Sequence, residues 1–163
     1  MQRYLIFLLF VLPVVAEAQP ADLKKAVVAV RSIDPADTDF RDLAGLRAAV
    51  GDARIVLLGE QTHGEGTTFQ AKIRLIEFLH EKMGFDVLAF ESGFYDCARI
   101  WENVEAGGRV PDEVTGSLFY MYATSVQMGD LFGYIQGAVS SKRPLVITGF
   151  DSQHTGVKSK TQL

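Results

Sequence analysis

The sequence predicts an α/β fold, a parallel or mainly parallel sheet with helices on both faces. Three observations predict it. Three short apolar runs, Arg54 to Leu58, Asp86 to Phe90 and Pro144 to Thr148, each pass into a glycine, a carboxylate or both. Stretches with apolar residues at helical spacing separate these runs. Strands alternating with helices in this way close through right-handed crossovers and carry their carboxyl ends along one rim. Three strands are fewer than the usual ~4–6, so the sheet is expected to be incomplete.

Taken in order, residues 1–18 have the form of an export signal. Arg3 provides the positive start, Tyr4 to Val15 the apolar run, and Ala16-Glu17-Ala18 a small-x-small cleavage site. The run falls short of the ~20 residues that span a bilayer. An exported protein, periplasmic or secreted, with no stable membrane span after signal removal is therefore expected, leaving residues 19–163 as one domain. Leu23, Ala26, Val27 and Val30 have helical spacing over Ala21 to Ile33, and Phe40, Leu43, Leu46 and Val50 mark a second helix ended by Gly51-Asp52. The first strand, Arg54 to Leu58, follows.

A helix from about Thr67 to Met83 keeps its rhythm through Phe69, Ile73, Ile76, Leu79 and His80, and Gly84 ends it. The second strand starts at once. Ser92-Gly93 then opens a helix bearing Tyr95, Ala98, Ile100, Trp101 and Val104, closed by Gly107-Gly108. Pro111-Asp112-Glu113 starts a short helix. Phe119-Tyr120-Met121-Tyr122 is an aromatic cluster suited to a core, with the lining of an apolar cleft as the alternative. Asp130 to Val139 reads as the last helix before the third strand. Ser152 to Leu163 is polar and without period.

Composition narrows the functional classes. The chain has 163 residues, 48% hydrophobic and 22% charged, enough for one domain and one core. A net charge of −4 and the lack of a basic-aromatic stretch argue against nucleic acid as a partner. The single cysteine, Cys97, excludes an intrachain disulfide, and its apolar neighbours predict burial.

The residues with chemical potential gather at the expected strand ends: Glu60 and His63 after the first, Glu91 after the second, Asp151 after the third. Ligands in open α/β sheets sit outside the carboxyl ends of the strands. Histidine is the side chain whose ordinary pKa lies near neutrality, so His63 suits proton abstraction from water. Glu60 is placed to orient the imidazole and Glu91 to orient the water. In Gly64-Glu65-Gly66 the small residues allow close approach of a substrate, with Gly64, Glu65 and Asp151 as binding candidates. Capping of the following helices is the structural alternative for these carboxylates. No Gly-x-Ser-x-Gly elbow is present, which disfavours a serine hydrolase.

Gly59-Glu60-Gln61-Thr62-His63-Gly64, then Lys72 on a helix, Gly84-Phe85 before Phe90-Glu91, and finally Gly149-Phe150-Asp151 resemble, in order and spacing from about Asp39 to Gln153, the erythromycin esterase family. The resemblance implies hydrolysis of a small-molecule ester or lactone by His63-activated water, without a cofactor. Glu60 and His63 match the family's catalytic pair, Glu91 its second glutamate, and Lys72 a basic position that is often arginine. Lysine provides a point charge without the planar fork. Some members open macrolide lactones, so antibiotic resistance is among the implied roles. Members are longer and carry a second essential histidine downstream, which His154 does not match. The chain is thus expected to be the N-terminal, truncated portion of a family member, inactive alone. Two alternatives stay open. Glu60, His63, Glu91 and Asp151 are suitable ligands for a divalent ion such as Mn²⁺ or Zn²⁺, as in a metal-dependent hydrolase or peptidase or a metal- or haem-binding protein. A non-enzymatic binding module or inactive fragment is the other.

Overall fold

A computed structural model of the chain describes residues 27–59, 62–153, 156, 159 and 160. The expected signal, Glu60 and His154 lie outside the described residues. A 3₁₀ turn, Phe40–Leu43, runs into α1 (Ala44–Val50), followed by α2 (Gly66–Met83), β1 (Val87–Gly93), α3 (Phe94–Glu105), α4 (Val110–Val114), α5 (Tyr120–Ala123), α6 (Met128–Ala138) and β2 (Val146–Asp151). β1 and β2 pair in parallel, with Val87 opposite Val146, Phe90 opposite Gly149 and Gly93 opposite Asp151. The register shifts between Phe90 and Gly93, so Glu91 lies at a bulge next to the strand end.

The expected parallel α/β architecture is therefore present in incomplete form. Along β1 exposure alternates: Phe90 and Ser92 are buried, Leu88 half-buried, and Val87, Ala89 and Glu91 exposed. Such alternation marks a sheet covered on one face. The covered face joins Phe69 and Ile73 of α2, Cys97, Ile100 and Val104 of α3, and Leu131 and Ile135 of α6 in one core with Phe90 and Ile147. The opposite face, with Val87 and Phe150, is open among the described residues.

The local rules explain most of the elements. Helix α2 begins where Glu65 accepts from the hydroxyls of Thr67 and Thr68, at 3.2 and 2.8 Å. It ends at Gly84, whose φ of 82° lies in the left-handed region. Phe69 and Ile73 face the main core. Phe78 and Leu79, more than a helix turn further on, join Phe40 and Leu43 in a second cluster. Pro111 sits in the first turn of α4, where its missing N–H costs nothing. The burial expected of Cys97 is found, and it pushes the thiol up to about 11.

Two expected elements are not found among the described residues. Residues 54–58 form no strand, since no neighbouring chain among the described residues offers a ladder. Ile55 and Leu57 are 78% and 89% exposed, while Val56 packs against the second cluster. The helix expected over Ala21 to Ile33 is not formed from residue 27 onward; residues 21–26 lie outside the described set. Its backbone is engaged elsewhere: the Arg31 N–H donates to Asp42 at 2.9 Å, and the Ser32 carbonyl accepts from Arg74 at 2.7 Å. Tertiary bonds have taken the groups that a helix ladder would need.

Arg74 is the source of that competition. Its side chain is 1% exposed, grips both oxygens of Asp42 at 2.9 and 2.7 Å, and donates to the carbonyls of Ser32, Asp37 and Asp39. The guanidinium in turn holds the Asp42 carboxyl well below the usual carboxylate range. Further along α2, His80 is buried with both ring nitrogens engaged. One lies 3.0 Å from the Arg143 carbonyl, which only accepts, so the other accepts from the Tyr134 hydroxyl at 2.6 Å.

Removing one partner of a buried pair leaves the other uncompensated, so Asp42→Ala is expected to cost about 3 kcal/mol in denaturant unfolding at neutral pH. The wild-type contribution of Asp42 is present above the ordinary carboxylate pKa of ~3.9 and disappears as pH falls toward its lowered folded value.

Glu77 behaves in the opposite sense. Burial, with Glu81 and Asp130 nearby, raises it to about 7. The folded state then holds a proton that the unfolded state has lost, so stability falls as pH rises from the usual value through about 7. Glu77→Gln is expected to remove that slope and to raise stability at pH 8 by roughly 1–3 kcal/mol, measured by unfolding across pH.

Candidate functional site

The parallel pairing of β1 with β2 brings Glu91 and Asp151 to the same end of the sheet, as their positions after apolar runs predict. Glu91 is exposed on the open face, two residues before Gly93, the register partner of Asp151. Asp151 is half-buried, and its Oδ1 accepts from the Gln153 N–H at 3.0 Å, turning the chain away from the strand.

His63 reaches this rim by a different route from the one expected. It is carried by a turn, Thr62 to Gly64, rather than by a strand end. The imidazole is exposed and meets the Phe119 ring edge-on, with centroids 6.1 Å apart. The Phe119 N–H donates to Ser92 Oγ at 2.9 Å, and Ser92 follows Glu91 directly. Phe119 therefore ties the histidine turn to the end of β1. Its ring also packs on Tyr120 and Tyr122, and Tyr122 packs on Phe90 and Phe69. The aromatic cluster serves the expected core role through the buried Tyr122, whereas Phe119 is half-buried against His63 and Tyr120 is exposed.

Gly64 is favoured by its backbone, with the flexible end of Met121 as a lesser neighbour. The Gly64 φ is 84°, and a Cβ there would stand 2.9 Å from Met121 Cε. Glu65 is exposed and bound to the threonine hydroxyls that open α2, which gives it a structural task at the helix start. Lys72, in the second turn of α2, is half-buried. Arg74 is fully engaged with Asp42 and the backbone, so it is no substitute for Lys72 as a site cation. Glu60 lies outside the described residues. Among those described, no three His, Cys, Asp or Glu side chains are grouped as an ion requires, so His63, Glu91 and Asp151 do not by themselves form a cation cage. The described cavity lined by Val30, Ile33, Leu43, Ala71 and Leu75 is apolar and contains none of the candidate residues.

The strand–helix–strand unit carrying these acids matches the family model for erythromycin esterase over residues 80–162, half of the chain. The chain belongs to the erythromycin esterase family. That match contains Glu91 and Asp151, while His63 and Lys72 precede it. YbfO of Bacillus subtilis, whose name describes a hydrolase, is 36% identical over 74% of this chain and 27% of its own length. The Escherichia coli erythromycin esterases of type II and type I are 35% and 28% identical over 53% and 76% of this chain, and 20% and 30% of their own. A crystal structure described as a succinoglycan biosynthesis protein superposes with a TM-score of 0.69 at 25% identity, over 80% of this chain and 33% of that one. A Bacillus cereus protein gives 0.66 at 27% identity, over 80% of this chain and 32% of its own. The chain thus spans a third or less of the length of these relatives. No helix among the described residues is long and apolar enough to cross a membrane.

Sequence reasoning missed Phe119 as the contact of His63, and it missed the buried Asp96 of α3. The first had a visible signal in the aromatic cluster. The second had none, because its partners lie sixty residues away.

Gly64→Ala is expected to lower stability by about 1–2 kcal/mol through the left-handed backbone alone. Adding Met121→Ala should relieve only the steric part, and a full recovery in thermal unfolding would show that the backbone is not constrained.

Proposed function

We propose that the intact protein is a hydrolase of small-molecule esters or lactones that uses water activated by His63. The observation that carries this reading is the arrival of Glu91 and Asp151 at the same end of a parallel pair, with the His63 turn linked to that end through Phe119. Membership of the erythromycin esterase family and the hydrolase names of the relatives support it.

In this scheme the His63 imidazole takes a proton from water as the oxygen attacks the ester carbonyl. Lys72 stabilises the charge that develops on the carbonyl oxygen. Collapse of the tetrahedral intermediate breaks the bond to the alcohol oxygen, which receives the proton from the imidazolium. Glu60 holds the imidazole in the required orientation, Glu91 positions the water, and Gly64, Glu65 and Asp151 border the substrate. No bound metal or other cofactor is invoked. Export to the periplasm or medium fits the leader, and a small molecule rather than a nucleic acid is the proposed partner.

His63→Ala and Glu60→Ala are each expected to lower kcat for ester hydrolysis by about 10²–10⁴-fold while leaving the unfolding midpoint near wild type. Wild-type turnover in both variants would end the assignment. Activity lost on chelation and restored by Mn²⁺ or Zn²⁺ would transfer the same residues to a metal-dependent hydrolase.

A further inference from the structure

Asp96 is a fully buried carboxyl group in the first turn of α3, five residues after Glu91. Both of its oxygens accept from the backbone beyond β2. Oδ2 takes the Gly156 N–H at 3.0 Å and Oδ1 takes the Ser159 N–H at 2.8 Å. Ser159 closes the loop by donating its hydroxyl to the Gly156 carbonyl at 3.2 Å. Gly156 lies so close to Asp96 and to the Ser117 carbonyl that a side chain has no room. One side chain from the helix that follows Glu91 therefore holds the backbone that follows Asp151.

Burying a carboxyl group is costly, and an apolar residue of similar volume would stabilise a core at least as well. What an apolar residue lacks is the power to select one backbone path. Gly156 and Ser159 lie beyond β2 in a polar stretch, helical at Ser159 and Lys160, and the carboxylate selects where that stretch sits against α3. We infer that Asp96 is a positioning residue of the strand-end site: it fixes the chain beyond Asp151 against the helix beyond Glu91, and so sets the spacing of those two carboxylates. The inference rests on the hydrolase proposal above, because positioning matters only if the rim does chemistry.

The test uses the intact protein with a chromogenic aryl ester, p-nitrophenyl acetate, and hydrogen exchange read residue by residue. Asp96→Asn turns one acceptor into a donor facing an N–H, and Gly156→Ala attacks the same contact from the other side. Both are expected to lose exchange protection at Gly156 and Ser159. Both should lower kcat by about a hundredfold with KM changed less than about threefold, as displacement near 1 Å can do. The double variant should be no worse than Gly156→Ala alone, which loses the Asp96 contact and also meets the Ser117 carbonyl. Ile100→Val, a buried change on the same helix, provides the control for a structural loss, and it should leave kcat unchanged. Lost protection with wild-type kcat, unaltered protection in Asp96→Asn, or an equal kcat loss in Ile100→Val would each overturn the inference. His63→Ala separates the two claims. If it retains turnover, the hydrolase proposal fails and takes the positioning role with it. If it is inactive while Asp96→Asn and Gly156→Ala keep full kcat, only the role of Asp96 fails.

Discussion

The constraint on which the sheet depends is the close approach of β1, β2 and α3 at Gly149. A Cβ at that position would collide with the backbone carbonyls of Ser92 and Gly93 and stand 3.0 Å from the Cys97 sulfur. Glycine in β2 and a small thiol on α3 allow the crossover helix to sit directly on the strand pair. The rest follows from that fit. Phe90, opposite Gly149, fills the space beside it, and its ring reaches Tyr122, which carries the aromatic cluster. Because the pairing is parallel and the crossover close, Glu91 and Asp151 have no freedom to reach opposite ends of the sheet. The raised pKa of Cys97 has the same cause, since a thiol wedged between strand and helix is sheltered from water.

Helix α2 is the second organising element, and it works by facing two ways. Its first half contributes Phe69 and Ile73 to the core under the sheet, and its second half contributes Phe78 and Leu79 to the cluster around Phe40. Arg74 sits between the two sets and gathers the segment from Ser32 to Asp42 around its guanidinium. Five hydrogen bonds from one side chain compensate its burial, where a lone ion pair would not. The same bonds explain why residues 27–34 are not helical despite their spacing. The price of a helix there would be the loss of the Arg74 anchor.

What was legible in the sequence is what local chemistry decides. The span of α2, its glycine stop, the runs that became β1 and β2, the burial of Cys97 and the short Pro111 helix all follow from period and punctuation. What was not legible depends on partners distant in the chain. Residues 54–58 have the composition of a strand, but a strand exists only where another offers a ladder, and composition does not reveal the neighbour. Asp96 reads as an ordinary first-turn acid until Gly156 and Ser159 come to it. Nothing local marks Arg74 for burial, because its partner Asp42 lies 32 residues away. His80 fell within the apolar rhythm of α2 and is indeed buried there, yet its bonds to Tyr134 and Arg143 come from elements more than fifty residues on.

These differences bear on how the proposed chemistry is supported. Asp151 is paired with Gly93, and Glu91 sits in the bulge between the paired Phe90 and Gly93. The imidazole is carried by a glycine turn and meets the ring of Phe119, whose N–H donates to Ser92 of β1. A general base must come within hydrogen-bond reach of its water, and small displacements are costly to the rate. The Phe119 contact therefore couples the position of His63 to the aromatic cluster as well as to the end of β1. A change at Phe119 would be felt at position 63 before it was felt in the fold, because Tyr122, not Phe119, is the member of the cluster that the core has buried.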